Sequence, residues 1–120
     1  MAASCSFHPD ALFEYAAATQ YYLDEASPRV AEAFATSIEF AIATLVATPG
    51  RWTVIEAPEI RRYVFSRFPF VIYYRWEPQR ERITIYAIMH ASREPSDWHH
   101  RIERSADCMP PGEPSKNSPQ

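Results

Sequence analysis

The feature that most limits the fold of this chain is a change of hydrophobic period at Pro49-Gly50. Before it, apolar residues recur every three or four positions; after it, they alternate. A helix turns once in about 3.6 residues and a strand switches faces every 2, so one segment cannot satisfy both patterns. The front half therefore reads as helices and the back half as strands. With 120 residues there is room for one such domain around one core.

In the front half, Leu12, Tyr15, Ala16, Thr19, Tyr22 and Leu23 recur along one side of a helix that opens at Pro9 and runs to about Glu25. Proline suits the first helical position because its missing N–H has no partner there. Ser27-Pro28 repeats that start with a serine cap, and Val30, Phe34, Ile38, Ala41, Ile42 and Leu45 mark a second helix. So short a joint predicts an antiparallel hairpin. Ser4 to His8 suits a short strand before it. In the back half, Ile60 to Phe65, Arg67 to Trp76 and Arg82 to His90 alternate as strands, and their short loops predict an antiparallel meander. Phe70, Ile72, Tyr74 and Trp76 share one face; Val71, Tyr73 and Arg75 share the other. On the last strand Ile83, Ile85 and Ala87 alternate with Thr84, Tyr86 and Ile88. One face should cover the helices while the other stays accessible. Ser96 should cap a short helix from Asp97 to about Arg104. The fold class is α+β: an N-terminal α-helical hairpin packed on an antiparallel β-sheet meander, with a short C-terminal helix. The ordered domain is expected over 1–104, and the Pro/Ser-rich segment 105–120 should be a disordered tail.

Charge divides at the same boundary. Residues 1–50 carry Arg29 against six acids, a net of −5, whereas residues 51–104 carry ten arginines against seven acids, a net of +3. Arginine offers a planar fork for carboxylate or phosphate and stacks on aromatic rings, so the back half suits a partner with ordered anionic groups. No run of eighteen apolar residues and no secretion signal stands in the sequence, which points to the cytoplasm and away from a membrane. Cys5 and Cys108 lie far apart and read as free thiols. His99 and His100 are neighbours on the expected last helix, about 100 degrees apart, and cannot readily share an ion. No metal or cofactor is expected.

The order of elements, with Phe7-x-Pro9, Tyr21-Tyr22, Ser27-Pro28, Ile60-Arg61-Arg62, Arg67-Phe68-Pro69-Phe70, Ile72-x-Tyr74-Arg75 and the segment His90-x-x-Arg93-x-Pro95-x-x-Trp98-x-x-Arg101, resembles the RelE/ParE superfamily of type II toxins. The ending is closer to the ParE-like plasmid-stabilisation branch. That resemblance implies a toxin neutralised by a cognate antitoxin encoded beside it, and inhibition of an essential target such as DNA gyrase. A RelE-like, ribosome-dependent mRNA endoribonuclease is the alternative it leaves open, and an orphan that keeps only antitoxin binding is another.

Each reading assigns residues. RNA cleavage needs a proton acceptor, a cation for the phosphate and a proton donor. His90 fits the acid or base, Arg75 and Arg93 the cations, and Tyr86 a ring for stacking. The net charge of −3 is poor for a protein that must approach a ribosome. The binding reading rests on an accessible sheet face with Val71, Tyr73 and Arg75, rimmed by Arg61, Arg62 and Arg67, where an acidic, apolar antitoxin segment would lie. Pro95, Trp98 and Arg101 are expected to fasten the terminal helix.

Overall fold

A computed structural model describes residues 3–57, 59–92 and 101. Strand β1 (Ser4–Phe7) leads into helices α1 (Pro9–Glu25) and α2 (Pro28–Ala47), followed by β2 (Val54–Glu56), β3 (Ile60–Val64), β4 (Phe70–Glu77) and β5 (Arg82–His90). Both helix starts follow from their local sequence. His8 accepts the Asp10 N–H on its Nδ1 at 3.1 Å, and the Ser27 hydroxyl accepts the Val30 N–H at 3.1 Å, each before a proline in the first turn. α2 is long and apolar enough to cross a membrane by length and composition, but its Phe34, Ile38, Ala41 and Leu45 are fully buried in the protein core.

The sheet is larger than a three-strand meander. Its order is β1-β5-β4-β3-β2, with β1 parallel to β5 and the other pairs antiparallel. β1 reaches the last strand through the hydrogen bonds Ser4 N–H to Glu81 O and His8 N–H to Ile85 O. This long-range pairing has no local signature, and neither does the three-residue β2.

Packing on the helix side follows the expected stripe of α2, with Phe34, Ile38, Ala41 and Leu45 against Phe70, Ile72, Tyr74, Ile83 and Ile85. Full burial of the phenylalanine, isoleucine and leucine side chains among them contributes about 1.5–3 kcal/mol each. α1 is rotated from its expected setting: Ala11 is buried and Ala18 packs on the core, whereas Leu12 and Leu23 lie outside. Small side chains at the inner positions let this helix approach β5 closely.

Two further departures concern the sheet. The β4–β5 register jumps from Tyr73 opposite Ala87 to Tyr74 opposite Ile85, leaving Tyr86 as an extra residue. Such a bulge shifts the alternation by one. Beyond it Ile88 therefore joins the helix-side core, while Tyr86, Ala87 and Met89 lie with Ile60, Val71 and Tyr73 in a second cluster on the opposite face. That opposite face is not accessible as expected, since Tyr73 is 6% exposed and Tyr86 fully buried. Except for Arg101, the expected terminal helix and the tail lie outside the described residues.

Candidate functional site

The three rim arginines separate in space. Adjacent residues of a strand point to opposite faces, and Arg61, opposite Tyr74, lies on the helix side. There it donates to the carbonyls of Gly50 and Trp52 and pairs with Glu59, so it closes the loop after α2 and does not rim an open face. Tyr74 ties down the same loop through a 3.0 Å hydrogen bond to Pro49 O. Burial pushes the Tyr74 hydroxyl well above its ordinary pKa; Arg61 offsets part of that rise, and Glu59 adds to it. Arg62 is exposed on the other face, opposite Tyr73. Half-buried Arg75 lies 3.9 Å from Glu77, a carboxylate that Arg82 also holds at 3.3 Å. Arg67 is exposed, with its guanidinium 5.9 Å from the Phe68 ring centroid.

Arg67 also borders a groove of about 610 Å³ between α2 and the β3 end of the sheet. Phe40, Tyr63 and Phe65 form apolar surface there, Arg29 and Arg67 supply cations, and Glu32 lies among them. Phe40 is 67% exposed. Sequence reasoning missed Arg29 and Phe40, although a signal existed. Phe40 is a large aromatic residue off the inward stripe of α2, and Arg29 is the one base of an acidic half.

The residues proposed for catalysis do not form one constellation. His90 pairs with Phe70 and Arg75 with Thr84. Five residues of β4 therefore separate the two positions by roughly 16 Å, and an odd spacing puts them on opposite faces. Tyr86 has no exposed ring on which a base could stack. His90 Nδ1 accepts the Ser92 backbone N–H at 3.1 Å and lies 2.8 Å from the Ser92 hydroxyl. A backbone N–H can only donate, so the neutral ring carries its proton on Nε2 and has no free lone pair for a general base. Arg93, Pro95 and Trp98 lie outside the described residues.

Arg101 is buried in a polar node. It grips both oxygens of Glu14 at 3.1 and 2.9 Å, donates to Tyr86 O at 2.7 Å, and lies 3.6 Å from Asp10. The Ile88 N–H donates to the same Glu14 at 3.0 Å. β1 ends opposite Ile85, and past that point these two side chains satisfy two backbone groups of β5, Tyr86 O and the Ile88 N–H. Glu14 has a readable position, three residues after Ala11 and four before Ala18 on the inner side of α1.

Comparison with known proteins agrees with this architecture. The family described as the ParE toxin of the type II toxin-antitoxin system, parDE, matches residues 5–95. No curated protein matches the chain. A chain from the chromosomal ParDE system of P. aeruginosa is 23% identical, with 73% of this chain and 95% of that one covered at a TM-score of 0.62. A mutant of the E. coli toxin RelE in the free state is 14% identical, with 85% and 99% covered and a TM-score of 0.60. A chain of the intact E. coli RelBE toxin-antitoxin complex is 13% identical, with 77% and 100% covered and a TM-score of 0.55. At these identities the structures share the fold alone.

Proposed function

Because the chain belongs to the ParE toxin family of type II toxin-antitoxin systems, we propose that it is a toxin held inactive by a cognate antitoxin. When free in the cytoplasm it arrests growth by binding an essential target, with DNA gyrase the leading candidate, and the pair stabilises the replicon that carries it. The groove between α2 and β3 is the observation that supports this reading. Its aromatic surface and its two arginines suit an antitoxin segment with apolar anchors and nearby carboxylates. Arg62 remains available on the other face for a second stretch of the same segment.

The binding reading is favoured over RNA cleavage by the burial of Tyr86 and the separation of Arg75 from His90. A supercoiling assay with purified gyrase tests the target. Inhibition by the free chain, relieved by antitoxin, is expected; full supercoiling in its presence removes gyrase. Transcripts should stay intact during induction, and their cleavage would restore the nuclease reading. Arg67→Glu should weaken antitoxin binding at least tenfold, equivalent to about 1.4 kcal/mol.

A further inference from the structure

A second concave site lies on the other side of the hairpin, where the end of α1 meets the start of β4 and the end of β5. Ala18, Tyr21, Tyr22, Pro69, Phe70 and His90 enclose about 420 Å³. The rings form a connected wall. Tyr21 and Tyr22 are 5.5 Å apart at 75°, Tyr22 and Phe70 6.3 Å at 57°, and Phe70 and His90 5.5 Å at 72°. Most of this wall is preformed: Phe70 belongs to the core, His90 is fixed by Ser92, and Pro69 O accepts the Ala91 N–H at 2.8 Å. Tyr21 is the open side, 61% exposed.

We propose that this cleft receives an aromatic side chain, tryptophan best of all, from a partner protein. Ring walls of this kind favour edge-to-face contact with another ring at centroid distances of about 4.5–7 Å. The Ser92 bond leaves the His90 Nε2–H as a donor, and the Tyr21 hydroxyl adds a second polar group, so a carbonyl beside the inserted ring can be held as well. A nucleobase is disfavoured by charge. Asp24 and Glu25 lie three and four residues after Tyr21 on α1, the first 50 residues carry a net of −5, and the chain's one lysine is Lys116. A phosphate backbone would meet repulsion there. The same acids favour a partner with basic residues flanking its aromatic anchor. This site is separate from the arginine groove on α2 and does not depend on which protein neutralises the chain.

Titration of the full chain with N-acetyl-tryptophanamide, followed by NMR of the Tyr21 and His90 ring protons, tests the proposal. Saturable shifts at both rings are expected, with affinity at least fivefold tighter than for N-acetyl-leucinamide, N-acetyl-argininamide or adenosine. Tyr21→Ser should weaken binding at least tenfold with an unchanged circular dichroism spectrum, since that side chain is mostly in solvent. His90→Ala gives the same readout should Tyr21→Ser disturb the fold. Absence of saturable shifts, equal or tighter binding of any of the three controls, or indifference to both folded variants would overturn it.

Discussion

Replacing Glu14 should destabilise the protein far more than loss of an ordinary surface ion pair. Exposed pairs contribute about 0–1 kcal/mol. Here the Arg101 side chain is 8% exposed and that of Glu14 18%, and one carboxylate accepts three hydrogen bonds, two from Arg101 and one from the Ile88 N–H. Glu14→Ala strands a buried guanidinium, which then retains Tyr86 O and the distant, mostly exposed Asp10, and it orphans the Ile88 N–H. Breaking a buried pair costs about 3–5 kcal/mol, and an unsatisfied backbone donor is worth about 1–3 kcal/mol within it. We expect a loss of about 4 kcal/mol for Glu14→Ala. Glu14→Gln, which keeps an acceptor for Ile88, should lose about 2 kcal/mol. Against a total stability of about 5–15 kcal/mol, the alanine variant approaches unfolding. The pair Glu14→Leu with Arg101→Met should recover much of the loss, because apolar replacement of both partners removes the stranded charge. Urea denaturation of Glu14→Leu, Arg101→Met and the double variant gives the coupling energy. A value above about 2 kcal/mol is predicted; one below about 0.5 kcal/mol would mean that the node behaves as a surface pair and that Arg101 does not fasten the end of the domain.

Phe34→Ala should cost about 3–5 kcal/mol, read from the denaturation midpoint, because that buried ring lies 5.0–5.3 Å from those of Tyr22, Phe68 and Phe70. Burial pushes the Cys5 thiol up to about 11, so in a Cys108→Ser background its alkylation by iodoacetamide at pH 8 should be roughly a hundredfold slower than in the unfolded chain. The folded chain keeps this proton to about 11, whereas the unfolded chain releases it near 9.0. The thiol's contribution to stability is thus complete below about pH 9 and falls as pH rises toward 11. Glu81 holds a left-handed backbone at φ 49° and ψ 48°, so Glu81→Gly should raise stability by about 0.5 kcal/mol in the same denaturation assay.

Local chemistry made the hairpin legible, since Pro9 and Ser27-Pro28 state where each helix begins and Phe34, Ile38, Ala41 and Leu45 state which side of α2 is buried. Alternation likewise marked β3, β4 and β5. The parallel partnership of β1 with β5 was not readable, because it depends on the hairpin folding back over the sheet. The bulge at Tyr86 also left no trace in the pattern, and one inserted residue moved Ala87 and Ile88 to faces opposite those expected. For the candidate site, strand parity alone shows that adjacent Arg61 and Arg62 cannot rim one face. Composition identified arginine and aromatic side chains as the material of a binding surface. It could not show that the groove would draw Arg29 and Phe40 from α2, since that depends on how the helix packs beside β3.

Growth of cells in which the chain is induced alone, and then together with the protein encoded beside it, tests the toxin assignment most directly. Arrest on single induction, relieved by co-expression and restored when Arg67→Glu weakens the complex, is the predicted result. Normal growth on single induction, or arrest that the neighbouring protein leaves untouched, would contradict it.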